Sequence, residues 1–203
     1  NNLALPIIFN ILSALITSDC FIIQSEFAKS LIVGAARYYN VNNFKDVKIL
    51  PPPLDPFLID QPDSGDRTQQ NNVLYNHRLY QTYGTEEFLK FIDKCSDLSF
   101  KLIVSDPMPL RSLTREKLNN TPVAFKKRIK QMYNAEVVDG TASRIDYYKT
   151  IKSARLSCAA FRKACVWSMS SIDCMSLGIP VIAPNYASYP EFIPDELLFN
   201  DLD

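Results

Sequence analysis

Short apolar runs alternate along this chain with amphipathic stretches of ten residues or more. A strand buried on both faces followed by a helix that covers it is the pattern of βα units around a parallel sheet. The runs that read as strands are 20–24, 47–50, 72–75, 101–104, 136–138, 156–159, 180–183 and 197–199. Between the first two, 25–39 opens on a Ser, carries Glu26 in its first turn and repeats Phe27, Leu31, Ile32 and Ala35 at helical spacing. The stretch 85–94 reads as a helix with Thr85 as N-cap and Phe88, Phe91 and Ile92 inward. The predicted fold class is therefore α/β, with Rossmann-like parallel sheets. At 203 residues, 47% of them hydrophobic and 22% charged, the chain supports a packed core and excludes disorder, collagen and coiled coil.

Pro51-Pro52-Pro53 cannot extend a helix, and the polar, turn-rich stretch 61–70 follows it. The expected organisation is a first part over 1–53, a linker over 54–71 and a Rossmann-like domain over 72–203. The first part offers only two helices and two strands, too few to cover a sheet. The chain starts Asn1-Asn2 without a methionine and stops at Asp203 without an evident terminus, which reads as a fragment.

Five cysteines (Cys20, Cys95, Cys158, Cys165, Cys174) form no C-x-x-C pair, and His77 is the only histidine, so no structural zinc site is expected. Reduced thiols point to the cytoplasm. The apolar stretch 3–17 is broken by Pro6 and Asn10 and falls short of the roughly 20 residues a membrane helix needs. It lacks the basic start of a signal peptide.

The strongest local signal is Ser171-Ile-Asp-Cys-Met-Ser-Leu-Gly-Ile-Pro-Val-Ile-Ala-Pro184, followed by Tyr189-Pro-Glu191. It describes a helix closed by Gly178, a buried strand from Pro180 and a loop leaving that strand's carboxyl end, where ligands of open α/β sheets bind. The segment from Asp173 to Pro184 resembles the acidic-Ala-Met-Ala-x-Gly-x-Pro-Val block of retaining glycosyltransferases of the GT-B fold. Ser18-Asp-Cys-Phe-Ile-Ile-Gln-Ser25-Glu-Phe, Val47-Lys-Ile-Leu-Pro-Pro-Pro-Leu-Asp55, Asn76-His-Arg78 with Thr85-Glu-Glu-Phe-Leu, and Asp146-Tyr-Tyr-Lys-Thr-Ile-Lys-Ser-Ala154 resemble successive segments of the same family. The His77-Arg78 pair and the ending 188–199 are similar to tRNA-queuosine mannosyltransferase-like members. On this resemblance 1–53 is the end of an amino-terminal, acceptor-side domain and 72–203 most of the donor-binding domain. Roughly the first half of such an enzyme, with its acceptor site, is then expected to be absent.

The resemblance implies roles by position. Arg78 meets the donor diphosphate, as a fixed guanidinium fork suits two phosphate oxygens. Asp173 accepts from the nucleotide ribose, Trp167, Ser168 and Met169 form the loop and helix start that face the phosphates, and Gly140 lies where the base is held. His77, beside Arg78, is a candidate phosphate or sugar contact or a hydrogen-bonded structural histidine. Two positions depart from the pattern: Cys165 stands where the family has a catalytic glutamate near the sugar hydroxyls, and Tyr83 where it has a phosphate-binding lysine. A thiol cannot replace that acceptor and a phenol cannot replace that cation. Cys165 itself reads as a buried structural residue more readily than as a reactive thiol.

One charge asymmetry stands inside the neutral total of 22 basic and 22 acidic side chains. Arg111, Arg115, Lys117, Lys126, Lys127, Arg128 and Lys130 face only Glu116 over 111–130. The segment reads either as a solvated amphipathic helix, with Val123, Phe125 and Ile129 packed, or as contact with a nucleic-acid acceptor. The expectation is a glycosyltransferase of the hexosyltransferase type, taking a sugar from a nucleotide-diphosphate donor to an acceptor that includes nucleic-acid bases among the candidates, without metal or other cofactor. The alternatives are a non-catalytic nucleotide-binding or interaction subunit of the same fold and a nucleotide-sugar epimerase; a partner chain could also supply the absent half.

Overall fold

The computed structural model describes residues 4–61, 71–106, 120–132, 134–139 and 143–200. Its contacts divide the chain into two units, 1–53 with 165–167 and 54–164 with 168–203.

In the first unit, helix α1 (Ala4–Thr17) leads to strand β1 (Cys20–Ile23), helix α2 (Glu26–Tyr38) and strand β2 (Asp46–Ile49). The two strands pair in parallel, Cys20 with Asp46 through Ile23 with Ile49. Ser25 starts α2 as the sequence implies: its backbone is extended and its Oγ accepts from the Ala28 N–H at 3.1 Å. The same hydroxyl donates to the Val166 carbonyl at 2.7 Å, which ties 165–167 to this unit. Leu12, Leu15, Ile23, Ala28, Ala36 and Val47 form its core. Pro6 falls in the first turn of α1, where a missing N–H costs no helical hydrogen bond.

The second unit opens with the short helix α3 (Pro56–Ile59) and then builds a parallel sheet from β3 (Asn72–Tyr75), β4 (Lys101–Asp106), β5 (Ala135–Asp139), β6 (Leu156–Cys158), β7 (Val181–Pro184) and β8 (Leu198–Phe199). Helices α4 (Thr85–Lys94), α5 (Thr121–Met132), α6 (Arg144–Lys152) and α7 (Met169–Ser176) connect them. The strand order is β5-β4-β3-β6-β7-β8. Counted from its own first strand this is 3-2-1-4-5-6, the order of the doubly wound dinucleotide-binding fold. The central strands are apolar on both faces, with Leu74, Tyr75, Leu102 and Val104 fully buried. Tyr75 stacks on Phe88 of α4 at 3.9 Å, and Phe91, Phe161 and Phe199 form a second aromatic group.

Three details differ from the sequence reading and one agrees with it. The N-cap of α4 is Gly84, not Thr85, which is the first helical residue and is buried with its hydroxyl unpartnered among the described residues. Val123 is exposed, so α5 packs through Phe125 and Ile129 alone of the three. Within the basic segment, Lys126 pairs at 3.1 Å with the fully buried Asp106, and Arg128 pairs at 2.8 Å with Glu86. Lys127 and Lys130 are exposed, while Arg111, Arg115 and Lys117 lie outside the described residues. Gly178 does close α7: at φ 72° its N–H bonds Met175 O, and the Ile179 N–H bonds Cys174 O, a Schellman arrangement.

Gly84 is where the packing leaves no room for a side chain. Its φ is +69°, and a Cβ there would lie 2.3 Å from the Phe161 carbonyl oxygen and 2.5 Å from the Phe161 Cβ. Gly34, exposed in the middle of α2, has nothing within 4 Å of such a Cβ. Gly84→Ala is expected to destabilise the protein by about 2 kcal/mol or more. Gly34→Ala is expected to stabilise it by about 0.5–1 kcal/mol through helix propensity. Denaturant unfolding of both variants checks the pair, and equal effects would contradict this account of Gly84.

Candidate functional site

In a sheet of this order the ligand crevice lies outside the carboxyl ends of the strands where the order reverses, here between β3 and β6. The chain leaving β3 carries Asn76, His77 and Arg78, and the chain leaving β6 carries Ala159, Ala160, Phe161 and Arg162. Asn76 and His77 are buried and Arg78 is exposed. Arg78 has no ion-pair or hydrogen-bond partner among the described residues, so its guanidinium is available to an anion.

His77 joins the two strands. Its Nε2 lies 3.1 Å from the Cys158 carbonyl oxygen. A carbonyl only accepts, so Nε2 carries the proton and Nδ1 is left as an acceptor. Burial pushes the ring down to about 4, against the smaller upward pull of that hydrogen bond. At neutral pH His77 is therefore a neutral imidazole that pins β3 to β6. It offers no positive charge to a phosphate.

Asp173 sits half-buried on α7 and enters a chain of hydrogen bonds that spacing along the sequence does not reveal. The Tyr147 hydroxyl on α6 donates to Asp173 Oδ2 at 2.8 Å, and Asn76 Nδ2 donates to the Tyr147 oxygen at 3.3 Å. Asn76 Nδ2 also lies 3.6 Å from Cys174 Sγ, and Asn76 Oδ1 is buried without a partner among the described residues. Desolvation raises the Asp173 pKa, the Tyr147 hydrogen bond opposes the rise, and the charge of Asp55 adds to it. The Tyr147 hydroxyl is pushed far above its ordinary range, by burial first and then by Asp173, and stays protonated as a donor. Asp55 in turn accepts the Phe57 N–H at 3.1 Å as cap of α3 and is paired with Arg144, which holds its carboxyl below the usual range. Asp173 is thus an oriented carboxylate, able to accept from a hydroxyl ligand.

The remaining sequence candidates are placed as follows. Ser168 caps α7, its Oγ 3.4 Å from the Ser171 N–H and 2.8 Å from the Ser171 hydroxyl, so this side chain is engaged and the helix start, with Met169 exposed, is what remains for an anion. Tyr83 lies in a 3-10 turn over 81–83, beneath the Arg162 guanidinium. Cys165 and Trp167 belong to the first unit, where the buried Cys165 thiol donates to the Trp167 carbonyl at 3.4 Å. That is a structural thiol. Gly140 lies outside the described residues. Among the described residues no group of three or more His, Cys, Asp or Glu side chains could hold a metal ion, and no helix is long and apolar enough to cross a membrane. Asn76, Tyr147 and Arg162 were not selected from the sequence as site residues; the only signal for Asn76 was its place directly before His77-Arg78.

The burial of His77 has a pH consequence. Its folded pKa, about 4, lies below the unfolded value of 6.5, so the unfolded state takes up the proton first as pH falls. The neutral pin is fully stabilising above 6.5 and is lost toward 4, at a cost of at most about 3 kcal/mol. Unfolding free energies measured between these limits are expected to fall with pH in the wild type and to fall less in His77→Gln. Parallel curves would show that His77 does not carry the dependence.

No protein-family model matches the chain, and no curated protein matches it by sequence. Its structure is similar to those of sucrose-phosphate synthase from Thermosynechococcus elongatus (17% identity, TM-score 0.66, 96% of this chain and 49% of that one), a glycosyltransferase from Rickettsia africae (11%, 0.69, 97% and 54%) and a UDP-forming α,α-trehalose-phosphate synthase from Burkholderia xenovorans in complex with glucose-6-phosphate (13%, 0.68, 99% and 54%). The chain spans about half the length of these solved structures. Across that span it has the α/β fold, with parallel sheets, of GT-B glycosyltransferases.

Proposed function

We propose that this chain is part of a glycosyltransferase that takes a sugar from a nucleotide-diphosphate donor, with 72–203 as the donor-binding domain and 1–53 as the end of the acceptor-side domain. The observation that carries the reading is Arg78, an exposed guanidinium without an anionic partner among the described residues, at the carboxyl end of the first strand of a 3-2-1-4-5-6 sheet. A guanidinium there forks to two phosphate oxygens and offsets the charge that grows on the departing diphosphate. Asp173, oriented by Tyr147, accepts from a ribose hydroxyl, and the start of α7 adds N–H groups for an anion. The structural neighbours support a transferase using nucleotide sugars.

Asp173 and Arg78 together make a nucleotide site, but Cys165 brings no carboxylate to the sugar. The sugar hydroxyls must therefore be met by other groups, and the hexosyl type rests on the resemblance to the family. The case for a nucleic-acid acceptor rests on the basic segment, where Lys126 and Arg128 are already neutralised by Asp106 and Glu86. The five free thiols suit a reducing compartment such as the cytoplasm.

The test is a thermal-shift titration with UDP, GDP and ADP. A ligand that binds only the folded state stabilises it by about 2.7 kcal/mol at 100 times its Kd. One nucleotide is expected to give a saturable shift. Arg78→Ala should weaken that diphosphate more than the corresponding nucleoside, and Asp173→Ala should weaken both alike. No shift with any of the three in a folded sample would contradict a donor site on this chain.

A further inference from the structure

We propose that Arg162 is a second cation for the diphosphate, held by Tyr83, and that it supplies from the β6 side the positive charge that position 83 lacks. The inference rests on the donor-site reading above and names a residue that neither the sequence nor the resemblance selected.

Three observations place it. The Arg162 Cζ lies 5.0 Å from the centroid of the Tyr83 ring. A guanidinium over an aromatic face is attracted by the ring's quadrupole and keeps its N–H edges available to an anion. The phenol that cannot itself bind phosphate as a cation thus positions one that can. The residues adjoining the pair, Gly84 after Tyr83 and Phe161 before Arg162, fix this placement, because they approach so closely that no Cβ fits between them. The turn after β3 and the chain after β6 are therefore held in one relation, and Arg162 follows Phe161 directly.

Charge bookkeeping points the same way. Lys45, Lys48, Lys101, Lys126, Arg128 and Arg144 have carboxylate partners within 4.0 Å, whereas the exposed Lys90, Lys127, Lys149 and Lys163 have none among the described residues and are solvated instead. Arg162, half-buried, and Arg78, exposed, have none among the described residues, although both leave the strands at which the sheet order reverses. A partly desolvated guanidinium without a counter-charge is unfavourable until an anion arrives. Two guanidinium groups without a carboxylate among the described residues, one on the chain after β3 and one on the chain after β6, describe a site for an anion with several oxygens. A diphosphate has that chemistry.

The experiment is calorimetric titration of UDP, GDP, ADP, their nucleosides and inorganic pyrophosphate into the wild type, Arg162→Ala, Tyr83→Phe, Tyr83→Leu and the double variant Tyr83→Lys with Arg162→Ala, each checked for folding by thermal unfolding. Arg162→Ala is expected to weaken the bound nucleoside diphosphate by about tenfold or more, with the nucleoside unchanged. Tyr83→Phe should keep wild-type affinity because the ring face remains. Tyr83→Leu should lose several-fold, and the double variant should regain most of what Arg162→Ala loses. Unchanged diphosphate affinity in a folded Arg162→Ala, or equal loss for diphosphate and nucleoside, would overturn the assignment of Arg162 while leaving the donor site standing. A wild type that binds no nucleotide would overturn the donor-site reading and this inference with it.

Discussion

The second unit depends on how the turn after β3 is pressed against the chain leaving β6. Gly84 makes the approach possible, being the one residue type with neither a Cβ to strike Phe161 nor a penalty at positive φ. His77 closes the same junction from the strand side with its hydrogen bond to Cys158, and Tyr75 on β3 anchors α4 by stacking on Phe88. Everything offered at the carboxyl end of the sheet is referred to this junction. Arg78 and Tyr83 leave one side of it, Phe161 and Arg162 the other.

Polar groups around the junction divide by what they can still do. His77, Ser168 and Tyr147 are spent on the protein itself: a strand-to-strand pin, a helix cap and an orienting donor. Asp173 keeps acceptor capacity beyond its bond from Tyr147, and the guanidinium groups of Arg78 and Arg162 have no carboxylate partner among the described residues. In α5 the arrangement is the opposite, with Lys126 committed to a fully buried aspartate. Breaking that pair leaves a buried charge, so this lysine belongs to stability rather than to a ligand surface.

Much of the fold was legible because its signals are local. The run 72–75 is a strand to the residue, α2 starts at the Ser25 cap, and Gly178 closes α7, each through a pattern contained within a few neighbours. The misreadings have tertiary causes. Thr85 has the chemistry of a cap, but the approach of Phe161 requires glycine one residue earlier. Val123 has the polarity of a core residue, but the face of α5 that meets the sheet passes through Phe125 and Ile129. The site was legible only where one segment carries it, as at His77-Arg78. The Asn76–Tyr147–Asp173 chain joins three elements far apart in sequence, and no spacing rule relates them.

The sequence by itself determined the alternation of strand and helix, hence a parallel α/β architecture, together with the caps and stops that depend on hydrogen bonds a few residues away. It also determined which charges and thiols exist to be used. Tertiary structure decided the order of the strands and so the place where that order reverses. It made His77 a neutral pin and Cys165 a structural thiol, and among the described residues it left Arg162 without a carboxylate. Those outcomes turn on desolvation and on contacts between distant segments, and neither exists until the sheet has closed around them.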